Sequence, residues 1–233
     1  MGYIDKLNAQ QINNAKLIIK QARAQGITND LTIAALLSIA SKESELKPQN
    51  ENLKYSAKRI MEVWKKTPPD IAKKLENNPQ ELANYFYGGK GGNTKTNAYM
   101  YRGRGFNQIT FAGMYKKIGD IIGVDLVNNP DLLNNPDTAA AGFIAYYKLI
   151  AKGGGIDLNK LNTEAAAIDT VYSINSGALH KAIKDTTGGY QKAKDRFNEF
   201  LTFVNPKHVG TSKIVNIALI LLVIGGAIYL TKK

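Results

Sequence analysis

The chain has 233 residues, with 31 Lys and Arg against 19 Asp and Glu, a formal net charge of +12, no cysteine and two histidines. The lack of cysteine excludes disulfides and thiolate metal sites, and the isolated His180 and His208 argue against zinc. No metal or cofactor is therefore expected, and any chemistry must rest on carboxylates, hydroxyls and amides.

The first residues, MGYIDKLNAQQ, have no apolar core and no small-residue cleavage site, so no cleaved signal peptide is visible. Lys6 stands where a myristoylation motif wants Ser or Thr. Residues 7–24 place Leu7, Ile12, Ala15, Ile18, Ile19 and Ala22 near helical spacing, with Gly26 as the stop. Asn29 or Asp30 can cap a second helix, LTIAALLSIASKESEL, apolar enough to be buried and ending before Pro48. Ser56 can cap a third, AKRIMEVWKK, which ends before Pro68-Pro69, and short helices are expected at about 70–76 and 79–86. The glycine-rich stretch 88–98 (GGKGGNTKTNA) reads as a long flexible loop, followed by an extended or turn segment, RGRGFNQIT. Helices resume at about 111–122, 136–150, 163–174 and 189–203. With no repeat and no βαβ alternation, residues 1–204 are expected to form one mainly helical domain.

A linker (205–213) leads to IVNIALILLVIGGAIYL at 214–230, uncharged and set between Lys213 and Lys232-Lys233. As a helix it would span about 26 Å, close to a bilayer's hydrocarbon core, and is expected to be a single transmembrane anchor. A buried core helix is the alternative. Lysines at both ends leave its direction unreadable. The positive charge favours a polyanionic neighbour, either nucleic acid or a bacterial wall or membrane polymer. Because basic residues are spread from Lys6 to Lys207 with no nucleic-acid motif, no specific nucleic-acid partner is expected.

Glu43 lies at the C-terminal end of the most apolar helix ahead of the tail. Partial desolvation there would raise its pKa and keep it protonated as a general acid, the requirement for protonating a glycosidic oxygen. A solvated surface glutamate is the plainer alternative.

Four segments, KESELKPQNENLKYSAKRIMEVW, YRGRGFNQIT, DLVNNPDLLNNPDTAAAGFIAYY and YSINSGALH, resemble in content and order the family 19 glycoside hydrolases, phage and bacterial endolysin-type members above all. The resemblance covers about residues 30–200 and implies a lysozyme-like helical fold with Glu43 as catalytic acid. It also implies that Glu51, Asn52, Tyr55 and Ser56 shape the cleft. Tyr55, Tyr101, Arg104, Gln108, Thr110 and Asn175 would be substrate-binding, Gln108 as a sugar-binding amide and Thr110 as a hydroxyl that helps to hold water. Arg102 and Arg104 could equally be braces for carboxylates such as Glu51.

The chain also departs from the family. Hydrolytic members place a second glutamate eight positions before the tyrosine of the YRGRG segment; here that position is Asn93, and residues 82–119 contain no Asp or Glu. The family's asparagine before the next tyrosine is replaced by Met114. An inverting hydrolase needs two carboxyl groups about 6.5–9.5 Å apart. Three readings stay open at this point: a base supplied by Glu51, or less favourably Glu45; a lytic transglycosylase needing Glu43 alone; or a glycan-binding module with a degenerate site. The expected function is cleavage of the peptidoglycan glycan strand by a membrane-anchored enzyme. It would sit in the internal membrane of a phage virion, with other virion proteins as further partners, or otherwise in a bacterial cell envelope.

Overall fold

The computed structural model describes residues 1–179, 183 and 188–208. The expected mainly helical architecture is found, with nine α-helices and no strand among these residues: α1 (Ala9–Ala24), α2 (Asp30–Ser44), α3 (Ala57–Val63), α4 (Pro69–Leu75), α5 (Pro79–Tyr87), α6 (Ala112–Ile122), α7 (Pro136–Gly153), α8 (Glu164–Asn175) and α9 (Gly189–Val204). The segment 214–230 lies outside the described residues, within which no helix is long and apolar enough to cross a membrane.

Helix α2 is the axis of the main core. Every residue from Thr32 to Ser41 is buried, wrapped by α1, α7, α8 and α9. A helix buried on all sides must satisfy its polar side chains internally. Ser38 and Ser44 donate to the helix's own carbonyls four residues back, at 2.8 and 3.0 Å, and Thr32 donates to the Leu158 carbonyl at 2.5 Å. Of the two candidates for its cap, Asn29 accepts from the Thr32 N–H.

The helix stops abruptly. Glu45 and Leu46 both adopt left-handed backbone, φ 50° and 56°, without being glycine. Such conformations persist only where their surroundings hold them. Here α1 does so: Gln11 Nε2 donates to the Glu45 carbonyl at 2.8 Å and buried Asn14 Nδ2 to the Leu46 carbonyl at 2.8 Å. The Glu45 side chain accepts from the Tyr3 hydroxyl at 3.0 Å and faces Lys192 and Arg196 of α9 at 3.4 and 3.5 Å. Arg196, nearly buried, also donates to Ser41 Oγ at 2.9 Å and lies 3.6 Å from the centre of the Tyr3 ring.

Two smaller apolar clusters flank this core. One joins α3, α4 and α5 through Leu53, Ile60, Leu75, Leu82 and Ala83; the other joins α6 to the outer side of α7 through Tyr101, Tyr115, Ile118 and Leu133. Helix α3 ends at Val63, earlier than expected, and Trp64 is its C-terminal cap.

The stretch 88–98 is not the free loop that its glycines suggested. Asn84 Oδ1 accepts from the Ala98 N–H at 3.1 Å, Asn97 Oδ1 from the Thr94 N–H at 2.8 Å, and the Gly113 N–H donates to the Gly91 carbonyl at 2.8 Å. Gly91 is needed for close approach, since a Cβ there would lie 2.5 Å from the Phe111 ring.

Glu45 gives a pH signature. Burial would raise its pKa, but the Tyr3 hydroxyl, Arg196 and Lys192 together hold it below the usual carboxylate range. A carboxyl with a depressed folded pKa contributes stability above its unfolded pKa of about 4.3 and loses it as pH falls through the folded value. Because its side chain is half exposed, screening keeps the effect to roughly 0.5 kcal/mol. Glu45→Gln should therefore be slightly less stable than wild type at pH 7 and indistinguishable from it near pH 2, as read from urea midpoints at both pH values.

Candidate active site

Glu43 stands in the last turn of α2, where the buried helix first reaches solvent, and its side chain is 22% exposed. Its Oε1 accepts from Lys42 Nζ at 2.5 Å and from Asn175 Nδ2, at the end of α8, at 2.7 Å. Asn175 Oδ1 in turn accepts from the Tyr147 hydroxyl of α7 at 3.0 Å. Burial pushes the Tyr147 hydroxyl well above its ordinary pKa and the charge of Glu43 adds to this, so it is a permanent donor. This chain of bonds fixes the Asn175 amide with its NH₂ toward the carboxylate. Glu43 Oε2 accepts no hydrogen bond among the described residues.

Glu51 belongs to a second group. Its Oε1 accepts from the Tyr87 hydroxyl at 2.7 Å and its Oε2 from the Gly103 N–H at 3.1 Å, while its own N–H donates to the Gly103 carbonyl at 2.7 Å. Burial, and then the charge of Glu51, push the Tyr87 pKa up. Gln108, at φ 56°, donates from Nε2 to the Gln49 carbonyl at 3.0 Å, and Thr110 Oγ1 donates to the Gln108 carbonyl at 2.8 Å. Gly103 has no room for a side chain, because a Cβ would lie 2.7 Å from Gln108 Oε1 and 3.2 Å from the Glu51 Cβ. No hydrogen bond among the described residues joins this group to that of Glu43.

Two chitinase structures resemble the fold. A bacterial family 19 chitinase is 18% identical, with 83% of this chain and 85% of that one covered and a TM-score of 0.46. A mutant of chitinase C is 20% identical, with 84% and 70% covered and a TM-score of 0.43. No protein-family model matches the sequence, and no curated protein does.

Arg104 and Tyr101 do not meet the expectation of substrate contact. Arg104 is 2% exposed, and its guanidinium is filled by Asp131 at 2.8 and 2.9 Å, the Met100 carbonyl at 2.6 Å and the Tyr115 hydroxyl at 2.9 Å. Tyr101 is buried and donates to the Val127 carbonyl at 3.2 Å. Both brace the segments around residues 100–104 against Val127 and Asp131. Neither arginine braces Glu51, since Arg102 lies over the Tyr99 ring at 4.3 Å. Tyr55 is half-buried, tilted against Trp64 at 6.0 Å, and Ser56 caps α3. Asn52 accepts from the Lys54 N–H at 2.9 Å.

The sequence reading missed Lys42 and Tyr147. Lys42 has a visible signal, a cation next to Glu43, but adjacent residues on a helix point apart and are not ordinarily paired. Tyr147 reaches the site across helices and has no local signature.

Asn93, at the position of the family's second carboxylate, is buried and spent internally: Nδ2 donates to the Tyr87 carbonyl at 3.2 Å and Oδ1 accepts from the Ala112 N–H at 2.9 Å. It staples the glycine-rich loop to α6. Asn93→Asp should therefore not introduce a working base. It removes the donor and sets a charge against a carbonyl, at a cost of about 1–3 kcal/mol. The urea midpoint should fall, with no gain in glycan hydrolysis.

Proposed function

We propose that the chain is a glycosidase that cuts the glycan strand of peptidoglycan with a single catalytic carboxylate, Glu43. The observation that supports this most directly is the contrast between Glu43 and the other candidate positions. Glu43 is accessible and oriented by two donors on one oxygen, whereas Asn93 is consumed by the fold, the Glu45 carboxylate by Tyr3 and α9, and each oxygen of Glu51 already accepts a bond.

In this reading the protonated Glu43 gives its proton to the glycosidic oxygen as the C1–O bond breaks. Lys42 and Asn175 then stabilise the carboxylate left behind, as preorganised donors aimed at developing charge. The same carboxylate takes the proton from the C6 hydroxyl of the muramic acid as that oxygen bonds to C1, closing a 1,6-anhydro ring. No water and no second carboxylate is needed. The excess of positive charge suits an anionic wall polymer, and residues 214–230 supply the proposed bilayer anchor through their length and lack of charge.

The test is mass spectrometry of the fragments that the full chain in detergent releases from purified peptidoglycan, set beside Glu43→Gln. Anhydro-muramic ends are expected, with release reduced about 10²–10⁴-fold in the variant. Reducing ends would point to hydrolysis with Glu51 as base. Equal release by both proteins, or none from the folded wild type, would overturn the reading. Asn175→Ala should lower the rate while leaving some activity, because Lys42 still holds Glu43; initial rates of wall solubilisation check this.

A further inference from the structure

The lobe formed by α3, α4 and α5 has an outer face unlike that of a purely structural unit. Ile60, Leu82 and Ala83 point inward and are fully buried, yet the same two helices and the turn after α3 also bring aromatic side chains to the surface. A groove of about 330 Å³ is lined there by Trp64, Lys65, Lys66, Thr67, Tyr85 and Phe86. Tyr85 is 55% exposed and neighbouring Val63 42%. A groove walled by aromatic rings and edged by polar groups offers a place where the apolar face of a ligand can be buried.

The aromatic groups are rigidly placed. Trp64 stacks on Phe86 with ring centres 3.9 Å apart and planes 7° from parallel, and Tyr85 meets Phe86 edge-on at 4.9 Å. The Trp64 carbonyl accepts from both the N–H and the hydroxyl of Thr67, at 2.9 and 2.7 Å, which fixes the turn that carries Lys65 and Lys66. Preorganisation of this kind lowers the ordering cost of binding. Lys65 and Lys66 are exposed and form no ion pair among the described residues.

We propose that this face is a second glycan-binding surface, on which Trp64, Tyr85 and Phe86 receive the pyranose rings of a peptidoglycan strand and Lys65 and Lys66 pair with the carboxylates that the strand carries. The C–H faces of N-acetylated sugars are apolar and slightly positive, which suits the negative face of an aromatic ring. The two free cations favour an anionic glycan over a neutral one. The choice of peptidoglycan rests on the function proposed above, whereas the aromatic surface does not. Its inner neighbour is Tyr87, edge-on to Trp64 at 6.5 Å and bonded to Glu51. A strand held here stays close to the molecule between cuts, which raises its effective concentration at the site.

Trp64 is the single tryptophan of the chain, so its fluorescence reports directly on this surface. The full chain carrying Glu43→Gln, in detergent, is titrated with soluble peptidoglycan strand fragments, with N-acetylchitohexaose and with wall teichoic acid. Saturable changes in Trp64 emission are expected with the first two, strand fragments binding more tightly. Tyr85→Ala should weaken both by tenfold or more, and the double variant Lys65→Glu, Lys66→Glu should weaken strand fragments alone. Emission that is silent toward strands, a response untouched by both variants, or a response to teichoic acid only would overturn the proposal. Circular dichroism confirms that each variant is folded. Glu43-dependent wall cleavage with silent Trp64 would sink this surface alone; a Trp64 response without cleavage by wild type would sink the catalytic reading alone.

Discussion

A helix buried on every side can bring a charged group to water only at its ends, and that constraint organises this molecule. The flanks of α2 are occupied by α1, α7, α8 and α9, so its last turn is where Lys42 and Glu43 emerge together. The left-handed pair Glu45–Leu46 makes the exit sharp, and the α1 amides Gln11 and Asn14 keep that turn in place. The position of Glu43 is thus set by the core, and its orientation by Asn175 and Tyr147 arriving from α8 and α7. A carboxylate held in this way has little freedom to rearrange, which suits the proton-transfer role proposed for Glu43.

The second group is built on a different principle. Around Glu51, Gly103 and Gln108 most bonds run between backbone and side chains of segments without regular structure, with Tyr87 reaching in from α5, and one antiparallel bridge, Arg104 to Ile109, closes the turn. Arg104 is its anchor, a buried cation, and burial pushes the Tyr115 hydroxyl beside it up to about 12 although the Arg104 charge pulls the other way. Such a network is costly to leave half-made. Within the YRGRG segment Arg104 and Tyr101 are therefore spent on shaping the chain.

The helices were legible because their signals are local. Asn29 and Ser56 stand as caps where helices begin, and the spaced apolar residues of α1 and the long apolar run of α2 mark those two helices. Glu43 and Asn175 could be named as site residues from the ordered segments, and the structure does bring them into contact across 132 residues. The illegible part consists of long-range hydrogen bonds. Nothing in GGKGGNTKTNA reveals that Asn84, Asn93 and Asn97 will tie it down, and nothing in RGRG separates the arginine that is buried from the one that lies on a tyrosine. Polar side chains carry no periodicity that says whether their partner is water, backbone or sugar.

The packing of α2 against α9 sets an order of events. The most deeply buried helix of the described chain is complete by Ser44, but one of its walls is not made until Gly189–Val204. Glu199 of that late helix also receives the N–H groups of Tyr3 and Ile4, so both extremities of the domain close on each other. Contacts of such sequence separation form slowly and reward the chain only when nearly all of it is present. A ribosome releasing this polypeptide therefore holds an incomplete core until α9 has been made, and α2 gains that wall only then. Completion of the core around α2 is in this sense timed by the arrival of α9.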